Sequence, residues 1–112
     1  MTDEFISIDD FDKSILKTAK ILKVTEVPKS IKLLSFSLKC GDRTINIVSG
    51  IKEHYATTSA LEGRHVVILS NLKPRNIMGM ISEGMILTVE NKEGNVSLLF
   101  SPDELEDNAM VM

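Results

Sequence analysis

The run IKLLSFSLKCGDRTINIVSGI, residues 31–51, is the clearest structural signal in the chain, because its apolar residues recur at every second position. From residue 34 onward, leucine or phenylalanine alternates with serine or lysine, which predicts a strand with one buried and one solvated face. Gly41 and Asp42 favour a turn, and TINIVSGI predicts a returning strand. The buried face is predicted to hold Leu34, Phe36, Leu38, Ile45 and Ile47, with Ser35 on the solvated face.

Strands are also predicted on either side of this pair. TAKILKVTEV at 18–27 is rich in β-branched residues, and HVVILSN at 65–71 is so apolar that it predicts a strand in the middle of the sheet. MILTVE at 85–90 and VSLLF at 96–100 predict a final hairpin, with Gly94 in its turn.

Short helical segments are predicted between and before the strands. YATTSALEG at 55–63 has threonines suited to cap one or two turns and Gly63 to end them, while DDFDKS at 9–14 predicts a capped turn with Phe11 as its buried anchor. Five or six short strands with one helix after the third are typical of an OB barrel, whereas a β-sandwich needs about seven strands. We therefore predict an all-β fold: a five-stranded OB-fold barrel with a short helix between strands 3 and 4 and short helical or extended terminal flanks.

Composition favours one ordinary globular domain. The chain has 112 residues, 43% of them hydrophobic and 26% charged, which fits a single domain spanning residues 1–112. Cys40 is the only cysteine, so neither an intrachain disulfide nor a cysteine-based zinc cluster is expected. No apolar run is long enough to span a membrane, and the first residues are acidic rather than basic, so we expect no membrane partner and a cytoplasmic location.

Charge is distributed unevenly along the chain, although the formal net charge is only -3. Residues 1–12 carry five acids and no base, and residues 81–112 carry seven acids and one base. The middle segment, residues 13–80, carries twelve bases against four acids. A cationic face on an acidic molecule is compatible with a nucleic-acid partner, although solvated strand faces would explain the same lysines.

Signals for catalysis are absent from the sequence. There is no GxGxxG, GxxxxGK[ST] or GxSxG motif, and neither histidine stands in a nucleophile or metal-binding context, so we expect no catalytic residue, cofactor or metal. The five aromatic residues are too few to stack successive bases on a barrel face. An RNA partner would therefore be held through phosphate, ribose and shape.

The segment NLKPRNIMGMISEGM, residues 71–85, is the most informative part of the chain for function. Its proline and two glycines disfavour a sustained strand, so a structured loop is predicted. Pro74 stiffens the backbone between Lys73 and Arg75, which suits two cations that contact adjacent phosphates. Ser82 would offer its hydroxyl to a ribose 2′-OH.

The methionines of this segment are open to two interpretations. Met78 and Met80 are expected to fill gaps in the core beneath the loop, with apolar contact to an unstacked base as the alternative. Met85 is expected to be more open.

The sequence resembles the tRNA-binding domain found at the C-terminus of many bacterial methionyl-tRNA synthetases, in stand-alone dimeric tRNA-binding proteins, and in related cytokine-like and synthetase-associated proteins of eukaryotes. NLKPRNIMG followed by SEGM is the most specific part of the resemblance. The matching segments are IDDFDKSILKTAKI at 8–21, VPKSIKLL at 27–34, IVSGI at 47–51, NLKPRNIMG at 71–79, SEGMIL at 82–87 and VSLLFSPD at 96–103.

This resemblance implies an OB-fold that binds tRNA by shape at the outer corner of the L, without selecting the anticodon, and that works as a symmetric homodimer. Lys17 stands where the family often has arginine, which keeps the charge but loses the bidentate fork. The residues expected to contact RNA are Lys20, Lys32, Arg43, Asn71, Lys73, Arg75, Ser82 and Met85.

Two questions stay open at the level of sequence. The chain is either the tRNA-binding and dimerisation domain of a methionyl-tRNA synthetase, acting with the catalytic domain in cis or in trans, or a stand-alone homologue. A related branch of the family consists of secretion chaperones that bind unfolded polypeptide, and this is the alternative function.

The apolar residues of the C-terminal end, together with the flank of the first strand, also predict a homodimer, because they would otherwise be exposed.

Overall fold

The computed structural model describes residues 4–55 and 57–112, and it is built almost wholly of β-structure. These described residues form one short helix, two single 3₁₀ turns and ten strands. In chain order these are α1 Ile8–Asp12, β1 Leu16–Glu26, β2 Leu34–Cys40, β3 Arg43–Ser49, the 3₁₀ turns Lys52–His54 and Ser59–Leu61, β4 His65–Leu69, β5 Arg75–Ile77, β6 Met80–Ser82, β7 Met85–Ile86, β8 Thr88–Glu90, β9 Val96–Leu98 and β10 Met110–Val111. Within the described residues, no helix has the length and hydrophobicity needed to cross a membrane.

The main sheet has the strand order β3-β2-β1-β4-β7, and β10 joins it by pairing with the start of β1. β1 is the hub, since it pairs antiparallel with β2, β4 and β10. Its register shifts between Ile21 and Lys23, where one extra residue bends the strand and increases its twist. The result is a strongly curled, half-barrel sheet, which confirms the predicted all-β, OB-type architecture.

The concave side of the sheet holds the core, and the alternating pattern is confirmed there. Phe36 and Leu38 of β2 and Ile47 of β3 are completely buried. Truncation of a buried phenylalanine such as Phe36 to alanine typically costs about 3–5 kcal/mol. β4 is buried along nearly its whole length, as its apolar run predicts.

The convex face of β2 and β3 is less exposed to solvent than the sequence predicts. Ser35 was expected to face solvent but is buried, and its hydroxyl donates to Asn46 Oδ1 at 2.8 Å. The same asparagine donates through Nδ2 to the carbonyl oxygen of Ile81 at 3.4 Å. The expectation was wrong because a segment from elsewhere in the chain lies beside β3 and removes this face from water.

That segment is a β-hairpin formed by β5 and β6 within the loop predicted at 71–85. Its turn consists of Met78 and Gly79, with φ of 50° and 84°. Two successive positive φ values characterise the tight turns that match the twist of paired strands. Asn76 Oδ1 accepts a hydrogen bond from the Gly79 N–H at 2.9 Å and supports the turn. Met78 is 57% exposed there, so its expected core role is wrong.

The barrel closes between β3 and the segment 82–84 that precedes β7, through two side chains and through a backbone hydrogen bond from the Glu83 N–H to the Asn46 carbonyl oxygen at 2.8 Å. Ser82 Oγ accepts from the Val48 N–H at 3.0 Å, and Glu83 Oε1 accepts from the Asn46 N–H at 3.1 Å. Gly84 follows with φ of +138°, and a Cβ placed there would lie 2.8 Å from the carbonyl oxygen of Leu69. The Ser-Glu-Gly segment thereby satisfies the free edge of β3, a role that requires its third residue to be glycine.

The predicted helical flanks and insert are present in shortened form. Ser7 caps α1, accepting from the Asp10 N–H at 3.0 Å, but Phe11 is 38% exposed and does not anchor the helix in the core. Between β3 and β4 the helical insert consists of the two 3₁₀ turns, and Gly63 follows them with a φ of 89°. Thr58 makes no side-chain capping hydrogen bond, and the second turn, Ser59–Leu61, buries Leu61 in the core.

Candidate nucleic-acid interface

The acidic C-terminal segment, residues 101–109, neutralises part of the cationic middle of the chain. Asp107 accepts from Lys39 Nζ at 3.1 Å and from the Gly41 N–H at 2.7 Å. Asp103 lies 3.2 Å from Arg64 Nε and accepts from the His65 N–H at 3.0 Å. We call residues 101–109 the acidic tail.

Both aspartates are stabilised in their charged form. The backbone N–H of Gly41, followed by the Lys39 ammonium group, holds the pKa of Asp107 below its usual value despite an opposing effect of burial. The backbone N–H of His65 likewise lowers the pKa of Asp103. Both aspartates therefore stay anionic at neutral pH, and each is paired with a cation of the middle segment, Lys39 or Arg64.

Thr18 fixes the acidic tail to β1. Its hydroxyl donates to the Glu106 carbonyl at 2.8 Å and accepts from the Ala109 N–H at 3.0 Å. Its backbone carbonyl accepts from the Asn108 N–H at 2.7 Å. This threonine was predicted only as part of a strand, and its role is visible only once the chain ends are brought together.

A second group of cations has no carboxylate within salt-bridge distance among the residues that the structure describes. It contains four of the predicted RNA-binding residues and four other lysines. Its members are Lys17, Lys20, Lys23, Lys29, Lys32, Lys73, Arg75 and Lys92.

Lys32 lies in a tightly held loop between β1 and β2, residues 27–33. Ser30 Oγ accepts from the N–H groups of Lys32 and Leu33 at 3.2 and 3.0 Å. The carbonyl oxygens of Ser30 and Lys32 accept from Lys52, through Nζ at 3.3 Å and the backbone N–H at 3.0 Å respectively. Lys29 adopts a φ of 67°, which completes the turn. The loop therefore presents its exposed cations on a fixed backbone.

Lys73 and Arg75 are brought together at the base of the β5–β6 hairpin, on either side of Pro74. Arg75 begins β5 opposite Ser82 of β6, and both cations are exposed. Ser82 in turn contacts Val48, whose neighbour Ser49 pairs with the first residue of β2, immediately after the Lys32 loop. The hairpin and the 27–33 loop thus flank the same end of β3.

We call these two segments, residues 27–33 and 70–82, the loop pair. They join the first to the second barrel strand and β4 to β7, and loops in these positions border the oligonucleotide-binding face of OB-folds. Lys32, Lys73 and Arg75 are therefore placed where such a barrel binds nucleic acid.

Lys20 and Arg43 are not part of the loop pair. Lys20 lies exposed in the middle of β1, opposite Lys39 and His65. Arg43 begins β3 at the end opposite Lys32, about 20 Å away along a seven-residue strand, with Glu83 at 3.9 Å.

Asn71 and Ser82 use their polar groups within the protein. Asn71 Oδ1 accepts from the Ile15 N–H at 2.9 Å and its Nδ2 donates to the Lys13 carbonyl at 2.6 Å, which ties the start of β1 to the end of β4. Ser82 was predicted to contact a ribose through its hydroxyl, but it is only 2% exposed in this structure. Its hydroxyl is already engaged by Val48 and Gly84.

Apolar side chains are exposed beside the cations. Met85 is open, as expected, and Met78, Ile81 and Ile31 of the loop pair are also exposed. Lys29 and Ile31 are not among the residues predicted to contact RNA. Their position after Pro28, in a turn flanked by two strands, is the signal that could have identified them.

Comparison with known proteins, like the geometry, indicates a nucleic-acid-binding domain. Residues 16–109 match the model of a family described as "Putative tRNA binding domain". The chain is 45% identical over 105 residues to methionine–tRNA ligase of Enterococcus faecalis, covering 93% of this chain and 16% of that protein. It is 45% identical over 108 residues to the Archaeoglobus fulgidus ligase, covering 96% of this chain and 16% of the ligase. The chain thus spans about a sixth of these curated relatives.

Solved structures show the same fold. The crystal structure of the MetRS related protein from Pyrococcus horikoshii superposes with a TM-score of 0.93 at 29% identity, covering 98% of this chain and 100% of that chain. The chaperone CsaA from Bacillus anthracis superposes with a TM-score of 0.85 at 21% identity, covering 97% and 100%, a likeness that concerns the fold alone. With a family match over residues 16–109 and this architecture, the chain belongs to the family of putative tRNA-binding domains.

Proposed function

We propose that this chain is a non-catalytic module that binds tRNA by its shape. The observation that carries the proposal is the placement of Lys32, Lys73 and Arg75. All three are exposed on the loop pair of an OB-type barrel, without a carboxylate within salt-bridge distance in the described part of the chain. Family membership and the identity to methionine–tRNA ligases support tRNA as the nucleic acid.

The mode of binding follows from which side chains are available. Phe36 is buried, Tyr55 accepts from the Leu98 N–H through its hydroxyl, and Phe100 lies beneath Arg64 with 4.1 Å between guanidinium and ring centroid. These aromatics are used by the fold, and the loop pair itself contains no aromatic residue. Successive base stacking is therefore not the basis of affinity, which supports contact with phosphates and ribose of a folded RNA.

The remaining predicted residues divide into two groups. Met85, Lys20 and Arg43 are exposed and are proposed as peripheral contacts, with Met85 offering a soft apolar surface. Asn71 and Ser82 are proposed to act indirectly, by holding the hairpin and the start of β1 in place.

Competition binding tests this function. Labelled tRNA is bound to the protein at low salt and competed with unlabelled folded tRNA, a perfect RNA duplex, and single-stranded poly(A) of the same length. Recognition by shape predicts that folded tRNA competes about tenfold better than poly(A). Equal competition by all three RNAs, or no tRNA binding at low salt, would overturn the proposal.

We further propose that the module works with a methionyl-tRNA synthetase catalytic domain, in cis or in trans, in the cytoplasm. The sequence identity to two methionine–tRNA ligases supports the association, and the chain itself would supply tRNA affinity rather than chemistry. Adding the module in trans to a synthetase lacking this region should lower the KM for tRNA while leaving the KM for methionine unchanged.

A homodimer is proposed because an apolar groove is left open beside β10. The groove, of about 400 Å³, is lined by residues that include Leu99, Phe100, Leu105 and Met110. A second copy of the chain would cover these side chains, consistent with the C-terminal apolar residues in the sequence. Sedimentation at micromolar concentration should give twice the 12.4 kDa chain mass, and Met110→Glu should give the monomer.

The polypeptide-binding alternative is separated from RNA binding by the same competition assay. The 21% identity to CsaA carries the fold and not that activity. If a reduced, unfolded polypeptide binds without displacing tRNA and without dependence on salt, the chaperone function is supported instead.

A further inference from the structure

The barrel has a polar opening at the end where β1 begins, β2 ends and β3 begins. Lys17 lies in the same alternating row of β1 as Ala19 and Ile21, both completely buried. Arg43 likewise shares its row with Ile45 and Ile47 of β3. At this end the two apolar rows therefore finish in cations, of which Lys17 is half-buried and Arg43 is exposed. We call this opening the barrel mouth.

A pocket of about 90 Å³ fills the barrel mouth. Lys17 and Arg43 line it together with Cys40, the last residue of β2, and Ile45 lies one core-facing position further into the barrel. Ser70, Glu83 and Asn108 complete the wall. Barrel mouths are common positions for small-ligand sites, and this one combines an apolar residue with converging polar groups.

The charges in the pocket do not balance. Lys17 is half-buried, and no carboxylate of residues 4–55 and 57–112 lies within salt-bridge distance of it. Glu83 is the only acid in the wall, and it is engaged by the Asn46 N–H at 3.1 Å and faces Arg43 at 3.9 Å. Burial raises the pKa of the Cys40 thiol, so Cys40 supplies no negative charge at neutral pH.

We propose that the barrel mouth binds a single phosphate group, held between the Lys17 ammonium and the Arg43 guanidinium. The pocket volume of about 90 Å³ is enough for a tetrahedral oxyanion. The anion would offset the cost of a partly buried, unpaired cation. Its source is either a phosphate of bound RNA or a free phosphate.

The two cations of this site are separate from those of the loop pair, although Ser70, the first residue of segment 70–82, lies in the pocket wall. Cys40, the last residue of β2, pairs with Arg43, the first residue of β3. Leu34 lies at the other end of β2 and follows the Lys32 loop. The two ends are about 20 Å apart at the rise of an extended strand. Phosphate binding at the mouth is therefore testable without assuming that the loop pair binds RNA.

Cys40 provides a built-in reporter, because it is the only cysteine in the chain and lines the pocket. Its rate of alkylation by neutral iodoacetamide is measured on the full chain, with inorganic phosphate replacing chloride at constant ionic strength. An oxyanion beside the thiol disfavours the thiolate, so phosphate should slow alkylation saturably by about threefold. An unchanged rate would overturn the proposal.

Two variants assign the effect to the pocket. Lys17→Met and Arg43→Gln should each abolish the response to phosphate, whereas Lys23→Met, which removes an exposed lysine from the same strand, should retain it. As a second measurement, the side-chain Nε–H resonance of Arg43 should shift on phosphate titration in the wild type. A full response in Lys17→Met would show that phosphate acts elsewhere and would also overturn the proposal.

The source of the phosphate is distinguished by adding tRNA in place of the inorganic ion. If bound tRNA slows Cys40 alkylation in the wild type and not in Lys17→Met, an RNA phosphate occupies the mouth. If tRNA binds without affecting the thiol while inorganic phosphate still protects it, the site takes free phosphate. Should tRNA fail to bind at all, the RNA-binding function is lost but the phosphate response still tests the pocket.

Discussion

The acidic tail and the loop pair differ in whether the basic side chains there are paired with carboxylates. Beneath the tail, Lys39 and Arg64 are paired with Asp107 and Asp103 at 3.1 and 3.2 Å. On the loop pair, Lys73 and Arg75 have no such partner among the described residues. All four belong to the cationic middle of the sequence. Charge counted along a sequence therefore overstates the cationic surface, because folding brings the acidic end onto part of it.

The largest expected effect is a loss of stability on substitution of Gly84, which follows the hairpin of the loop pair. Gly84→Ala should cost about 3 kcal/mol, because its φ of +138° is strained for alanine and the new Cβ would lie 2.8 Å from the Leu69 carbonyl oxygen. Gly79→Ala is the matched control, since its φ is +84° but no atom lies within 4 Å, and it should cost about 1 kcal/mol. Urea unfolding measures both. Equal losses would show that barrel closure does not depend on the close approach at Gly84.

Reversing the charges of the loop pair tests whether its cations contribute to tRNA binding. Lys73→Glu with Arg75→Glu should weaken tRNA binding by about 30-fold, because two phosphate contacts become repulsive. Lys92→Glu reverses an exposed lysine in the β8–β9 turn and should change affinity less than twofold. Filter binding at fixed salt measures the three proteins. A comparable loss in Lys92→Glu would mean that only the net charge matters.

Ser82 tests whether the hairpin residues act directly or through the fold. Ser82→Ala leaves the buried Val48 N–H without its acceptor and should cost about 1–2 kcal/mol in urea unfolding. The tRNA affinity of the folded protein should stay within about twofold, because the hydroxyl does not reach solvent. Ser97→Ala, at an exposed serine, is the control. A large loss of affinity without a loss of stability would restore Ser82 as an RNA contact.

The smallest expected effect concerns the tail and is dependent on pH. The pKa of Asp107 is lower in the folded chain than its usual value of 3.8, so its stabilising contribution is complete above that value and is lost as the pH falls through the lower, folded-state pKa. Asp107→Asn should lower the Tm by a few degrees at pH 6. The difference should shrink as the pH falls below 3.8 and through the lower, folded-state pKa.

Glu104→Gln is the control for this titration, since Glu104 is an exposed acid of the same tail without a salt bridge in the described chain. Its Tm should follow that of the wild type at every pH. A difference between wild type and Asp107→Asn that grows on acidification would contradict the assignment.

Local patterns predicted the parts of the fold that depend on near neighbours. The alternation at Leu34, Phe36 and Leu38 identified the core because strand periodicity is a property of consecutive residues. The β5–β6 hairpin was missed because Met78, a residue with no preference for positive φ, occupies its turn at φ 50°.

Pairings between distant segments were beyond reach for a different reason. The contacts of Thr18 with Glu106 and of Asp107 with Gly41 join residues more than sixty positions apart, and no local signal records them. The same applies to the proposed site: Lys73 and Arg75 were predicted as RNA contacts from the proline between them, but no sequence pattern predicted the pairing of Lys39 and Arg64 with the tail. Side-chain charge is visible in a sequence, whereas its counter-ion is set by the fold.

The salt dependence of tRNA binding distinguishes the cations of the loop pair from those paired with the acidic tail, when each pair of cations is replaced by neutral residues. The slope of log affinity against log salt should become shallower by about 1.5 in the Lys73→Gln and Arg75→Gln double variant, because two phosphate contacts are lost. The Lys39→Gln and Arg64→Gln double variant should keep the wild-type slope, since its cations are already paired with the tail. Equal changes in both variants, or a wild-type affinity that does not vary with salt, would contradict the account.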